Sequence, residues 1–124
     1  MKLWIDDIRT PPDDSWHICR NVSSAIRALD MFADEVTDIN LDHDISHQVV
    51  VGKMSRPYPC EETFQAVARY IATLKLLHPQ WSPKVQIHTS NYVGAQEMQD
   101  ILKNAEIYAD AKVVGGANRL ETIL

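Results

Sequence analysis

Cysteine is scarce in this chain: Cys19 and Cys60 are all it has. Two thiols are too few for a disulfide framework, which suits a reducing, cytosolic setting. Basic charge is the second shortage. Twelve Lys and Arg against 17 Asp and Glu leave a formal net charge of -5, so no general nucleic-acid-binding or membrane-attracting surface is expected. A phosphate-bearing ligand has to be drawn in by a local basic group or by a metal. Long apolar runs are missing too. No stretch approaches the roughly 20 residues that cross a bilayer, and Leu3-Trp4-Ile5 meets Asp6 too soon to serve as a signal peptide. There is no repeat, linker or low-complexity tract. The 124 residues, 45% hydrophobic and 23% charged, are the composition of one cytoplasmic globular domain, residues 1–124, with a single core.

The order of elements follows from periodicity. Lys2 to Ile5 is a short contiguous apolar run, the pattern of a strand buried on both faces. Pro11, Pro12, Asp13 and Asp14 make the next segment a loop, and Trp16 to Val22 alternates as a second strand. Ser23 or Ser24 caps a helix whose apolar positions are Ala25, Ile26, Leu29, Phe32 and Ala33. A third strand carries Ile39 and Leu41 into Asp42-His43-Asp44. Residues 45–62 fit no single period and read as an irregular loop or flap over a site. Glu61 and Glu62 suit a helix's first turn, and Phe64, Val67, Ala68, Ile71, Leu74 and His78 form its apolar stripe, which Pro79 stops. Trp81-Ser82-Pro83 is a turn. Lys84 to His88 is a fourth strand, Met98, Ile101, Leu102 and Ala105 mark a helix capped by Ser90 or Asn91, and Ile107 to Val114 is a last strand. Gly115-Gly116 and a short helix from about Asn118 close the chain.

Strands alternating with helices predict a mostly parallel sheet covered on both faces, a three-layer α/β fold. One connection breaks the rule. Between Asp7 and Trp16 there is no room for a crossover helix, whereas parallel strands need a dozen or more residues between them. The first crossover helix is therefore expected to be lost.

Chemistry collects where strands end. In an open parallel sheet, ligands bind outside the carboxyl ends of the strands, at the point where strand order reverses. Asp6-Asp7, Asp42-His43-Asp44 and His88-Thr89-Ser90-Asn91 all fall at such ends, and Gly115-Gly116 at a fourth. Residues i and i+2 of an extended chain share a side, so Asp42 and Asp44 converge while His43 faces away. Paired carboxylates there serve metal ligation, acid–base or nucleophilic chemistry; a plain Asp-rich turn is the alternative.

Three segments also carry a resemblance: Met1 to Pro12 around Asp6, Asp7 and Arg9; Leu41-Asp42-His43-Asp44; and His88-Thr89-Ser90-Asn91 through Gly94 to Met98. In that order they resemble the cyclic-phosphate processing receiver-like domains, relatives of response-regulator receivers. The resemblance implies a flavodoxin-like, Rossmannoid sheet of order 2-1-3-4-5 and a role on cyclic phosphate ends of nucleotides or RNA. It places Asp6 and Asp7 at the receiver's metal-binding pair and Asp42 at its phosphoacceptor, with His88 where receivers carry a hydroxyl. The receiver's lysine after the fifth strand has no match, since Lys112 lies inside the strand. Two added imidazoles and a missing lysine point away from phosphorelay and towards hydrolysis.

The expected roles follow from charge. A phosphodiester transition state concentrates negative charge that a cation must meet. Asp6, Asp7, Asp42 and Asp44 are hard ligands for Mg²⁺ or Mn²⁺, and an added histidine would favour Mn²⁺ or Zn²⁺. Asp42, His43 and His88 are the candidate catalytic residues, a histidine donating a proton to the leaving oxygen. Arg9 could grip a phosphate oxygen or simply pair with Asp6 or Asp42. Ser90 and Asn91 could seat the anion, cap the helix, or both. His43 could equally be a core histidine, and Lys53, Arg56 and Tyr58 a nucleotide rim or a solvated loop. A metal-free, two-histidine mechanism needs His-x-Ser/Thr twice, and only His88-Thr89-Ser90 fits. The competing class is a non-catalytic receiver-like module that binds a cyclic nucleotide or is phosphorylated on Asp42.

Overall fold

The computed structural model describes residues 1–45 and 63–113. Almost all of the expected flap at 45–62, and with it Lys53, Arg56, Tyr58, Glu61 and Glu62, lies outside the described residues, as do Gly115, Gly116 and the helix from Asn118. In chain order the described strands and α-helices are β1 (Lys2–Ile5), β2 (Trp16–Cys19), α1 (Val22–Phe32), β3 (Asp38–Leu41), α2 (Gln65–Leu77), β4 (Lys84–Thr89), α3 (Tyr92–Lys103) and β5 (Ala109–Val113). The five strands form one sheet in the order β2-β1-β3-β4-β5, every pair parallel. This is a receiver-like α/β fold.

The register explains which face is packed. Leu3, Ile39, Val85 and Ala109 stand opposite one another across four strands, and Ile5, Leu41 and Ile87 form the next such row. These side chains join Ala25 and Leu29 of α1, Val67, Ala68 and Ile71 of α2, and Met98 and Leu102 of α3 in one buried core. Each fully buried Leu or Ile contributes on the order of 2 kcal/mol. Topology accounts for the one-sidedness. Crossovers between parallel strands are right-handed, and β2 to β3, β3 to β4 and β4 to β5 all step the same way across the sheet, so their helices share one face. Only the step from β1 to β2 runs the other way. The chain joins these two strands without a helix, so among the described residues the helical layer stands on one face. The opposite face carries Trp4, Trp16, Asn40, Gln86 and His88 by strand parity.

Two local details depart from the sequence reading. The cap of α1 is Asn21 rather than Ser23 or Ser24. Asn21 has the extended backbone a cap requires and accepts from the Ser24 amide at 2.8 Å, while Ser24 Oγ accepts from the Asn21 amide at 3.4 Å, a reciprocal box. Trp81, read as a turn residue, is buried, and its indole N–H donates to the Val36 carbonyl at 2.7 Å.

Candidate functional site

The carboxyl ends of β1, β3 and β4 enclose a cleft of about 250 Å³ lined by Asp6, Asp7, Ile8, Arg9, Asp42, Asp44, Thr89 and Ser90. It lies at the switch point, because β1 stands between β2 and β3, and the step from β1 to β2 runs one way across the sheet while the later steps run the other. Each acid is there for a local reason. Asp6 directly follows β1, whose hydrogen bonding continues through the Asp6 amide to the Cys19 carbonyl at 3.1 Å. Asp42 extends β3 likewise, its amide bonded to the Ile5 carbonyl at 2.9 Å. Both carboxylates are buried.

Asp6, Asp7 and Asp42 each offer one ligand atom within 4.8 Å of the others. Three hard oxygen donors this close suit a divalent cation such as Mg²⁺ or Mn²⁺. Their mutual repulsion shows in the protonation of Asp42: desolvation first, and then the Asp6 charge, push its pKa up to about 7. A buried carboxyl that resists ionisation among like charges is the electrostatic mark of a site that a cation would relieve. Asp44 lines the same cleft but stands outside that cluster. Its Oδ1 accepts from His43 Nδ1 at 2.7 Å and from the Asn91 side-chain amide at 3.2 Å.

Arg9 is paired. Its Nη1 lies 3.2 Å from Asp6 Oδ2, 3.2 Å from the His88 carbonyl oxygen and 3.7 Å from Asp42 Oδ1. Asn91 caps α3, accepting from the Gly94 amide at 2.8 Å, and Ser90 beside it faces the cleft. A scan against known protein families matches residues 1–104 to the cyclic-phosphate processing receiver domain. The chain belongs to that family. No curated protein and no solved structure matches it.

The two candidate catalytic histidines of this receiver domain, His43 and His88, stand apart from the lining of the cleft. His43 is buried, as the alternation about Asp42 and Asp44 implies, and its ring is enclosed on three sides. Nδ1 bonds Asp44, Nε2 lies 3.2 Å from Gln65 Nε2, and a Cβ placed on Gly94 would fall 2.6 Å from three ring atoms. A glycine is required at position 94 because the imidazole occupies the space of any side chain. With Asp44 accepting at Nδ1 and the Gln65 amide donating at Nε2, both ring nitrogens of His43 are engaged within the protein. His88 points to the other face of the sheet, its ring 6.3 Å from Trp4, and burial followed by the Arg9 charge lowers its pKa. An imidazole held neutral is a poor proton donor.

Thr89, not His88, is the β4 residue that lines the cleft, beside Ser90. Alternation along β4 carries the signal: Thr89 shares the parity of Val85 and Ile87, and His88 has the opposite one. Thr89 Oγ1 also accepts from the Asn91 amide at 3.1 Å, fixing the turn into α3. Ile8 in the lining, and Gln65 and Glu97 behind His43, likewise carry no motif of their own. Lys112 is opposite His88 in the register and exposed, away from the cleft lining. No helix among the described residues is long and apolar enough to cross a membrane.

Proposed function

We propose that this receiver domain is a metal-assisted phosphoesterase that opens cyclic phosphates, on 2′,3′-cyclic phosphate RNA ends or on cyclic nucleotides. One observation carries the reading: three carboxylates from two strand ends bring ligand atoms within 4.8 Å in a cleft at the switch point. The family's name, cyclic-phosphate processing, agrees with it. Asp6, Asp7 and Asp42 would hold the ion, which supplies positive charge to the phosphoryl oxygens and lowers the pKa of a bound water. With no imidazole among the described residues of the lining, the all-oxygen donor set favours Mg²⁺ or Mn²⁺ over Zn²⁺. Ser90 and the first amides of α3 would face the phosphate.

The position of the histidines favours a second reading. Because neither His43 nor His88 lines the cleft, a domain that binds a cyclic nucleotide without cleaving it fits the same pocket. Turnover of a panel of 2′,3′-cyclic mononucleotides, cyclic-phosphate RNA ends and cyclic oligonucleotides, each with Mg²⁺, Mn²⁺ or EDTA, separates the two. Cleavage that needs the metal and vanishes in Asp42→Asn supports the hydrolase. Tight binding without cleavage supports the binding module, and acid-labile phosphate on Asp42 after treatment with a small phosphodonor would turn the reading to signalling.

A further inference from the structure

Within the carboxylate cluster, Asp6 has both oxygens engaged. Oδ1 accepts from the backbone amides of Ile8 at 3.0 Å and Arg9 at 2.9 Å. Oδ2 is held by Arg9 Nη1 at 3.2 Å. The oxygen of Asp6 that the backbone leaves for a cation is thus the one that Arg9 occupies. The same nitrogen approaches Asp42 Oδ1 to 3.7 Å, so one guanidinium spans two members of the cluster. Its main chain is fixed from both sides: the amide donates to Asp6, and the carbonyl accepts from Trp4 Nε1 at 3.0 Å and from Arg20 Nη1 at 2.6 Å. The side chain, by contrast, is 35% exposed. This is an anchored arm with a partly exposed end.

Building on the metal-assisted reading, we propose that Arg9 is a stand-in cation for Asp6 and Asp42, displaced when a divalent ion binds and thereby released to grip the phosphate of the ligand. A guanidinium is weakly hydrated and presents five donors in a planar fork, so it transfers readily from a carboxylate to a phosphate. Before displacement Arg9 is engaged by carboxylates and holds phosphate weakly. After displacement it faces the anion beside the Ser90 turn. Metal and phosphate binding are then positively coupled, and the coupling is reciprocal.

Calorimetric titration of the metal-free protein with Mg²⁺, and with inorganic phosphate with and without Mg²⁺, tests this without any turnover assay. Removing the competing charge in Arg9→Gln should tighten Mg²⁺ binding by roughly tenfold, since a unit charge a few ångströms from the site opposes the ion. The same variant should lose most of the gain in phosphate affinity that Mg²⁺ gives the wild type. Arg9→Lys keeps the charge, so its Mg²⁺ affinity should stay near wild type while its phosphate binding falls with loss of the fork. Mg²⁺ affinity unchanged or weakened in a folded Arg9→Gln would overturn the role of Arg9 and leave the metal reading standing. Should Arg9→Gln not fold, Arg9→Lys decides alone, and wild-type phosphate coupling in it would overturn the proposal. Failure of the wild type to bind either Mg²⁺ or Mn²⁺ would overturn the metal reading itself and this inference with it.

Discussion

Replacing Asp42 by asparagine should make the metal-free protein more stable at alkaline pH. The Asp42 carboxyl keeps its proton up to about pH 7 in the fold, against 3.8 for an ordinary aspartate. The folded pKa is the raised one, so the folded state binds the proton more tightly than the unfolded chain does. That contribution to stability is complete below about pH 4 and is lost as pH rises towards 7. Taken in full, the displacement corresponds to about 4 kcal/mol. Relaxation around a carboxylate at a cleft edge reduces it, and about 1–2 kcal/mol is the expected effect. The asparagine side chain would present the same shape, and its oxygen could still accept from the His43 amide, as Asp42 Oδ1 does at 2.8 Å. Asp42→Asn should therefore melt roughly 4–8 °C above wild type near pH 8 in EDTA, and close to wild type at or below about pH 4. Adding Mg²⁺ should stabilise the wild type and leave the variant nearly unmoved. Thermal melts followed by circular dichroism across that range decide it. Equal melting of the two proteins at pH 8 without metal would refute the claim that Asp42 is held against its own ionisation.

Three further outcomes follow from the packing. Gly94→Ala drives a methyl to 2.6 Å from the His43 ring and should cost about 1–3 kcal/mol in chemical denaturation; the double variant with His43→Ala should recover part of the loss, and strict additivity would deny the contact. Ile39→Ala empties a fully packed position between Leu3 and Val85 and should cost about 2–5 kcal/mol, whereas a loss well under 1 kcal/mol would mean the sheet face is not packed as described. Glu106 is exposed with φ at 66°, a left-handed position where glycine is unstrained, so Glu106→Gly should raise stability by about 0.5–1 kcal/mol, and a lower melting temperature would argue against that backbone geometry.

Strand-end chemistry was the legible part of the sequence. Asp6, Asp7 and Asp42 each end an apolar run, and sheet topology alone brings such ends together, so their meeting needed no knowledge of loops. The same holds for the missing crossover: counting residues between Asp7 and Trp16 was enough. The histidines were harder, because a motif states which residue is present but not which face it takes. His88 and Thr89 are neighbours, and the parity of β4, visible only against Val85 and Ile87, sends one to the Trp4 side and the other into the cleft. Gln65 and Glu97 were illegible for a different reason. Gln65 meets His43 and is itself held by Glu97 from a second helix, and single polar residues on amphipathic helices look like ordinary surface positions. Arg9 was legible only as a pair of alternatives, since pairing with a carboxylate and gripping a phosphate use the same donors.

Loss of the first helix bears directly on that arginine. In a crossover of full length a helix would follow Asp7, and its own backbone ladder would hold the chain. The ten residues between Ile5 and Trp16 have no such ladder, and side chains from neighbouring strands take its place. Trp4 and Arg20 both donate to the Arg9 carbonyl, Arg20 also donates to the Asp6 carbonyl at 3.0 Å, and Asp6 accepts from the amides of Ile8 and Arg9. Every one of these bonds converges on residues 6–9. The shortened link therefore turns sharply over the cleft, where a helix would have led the chain away from it. The turn that replaces the helix is what sets a guanidinium 3.2 Å from Asp6 and 3.7 Å from Asp42. Substituting Arg20 by alanine should thus loosen Arg9 without touching a carboxylate, leave a buried carbonyl poorly satisfied at a cost of about 1–3 kcal/mol, and weaken Arg9's competition for the carboxylates. A variant that loses stability yet keeps wild-type Mg²⁺ affinity would show that the turn serves the fold alone.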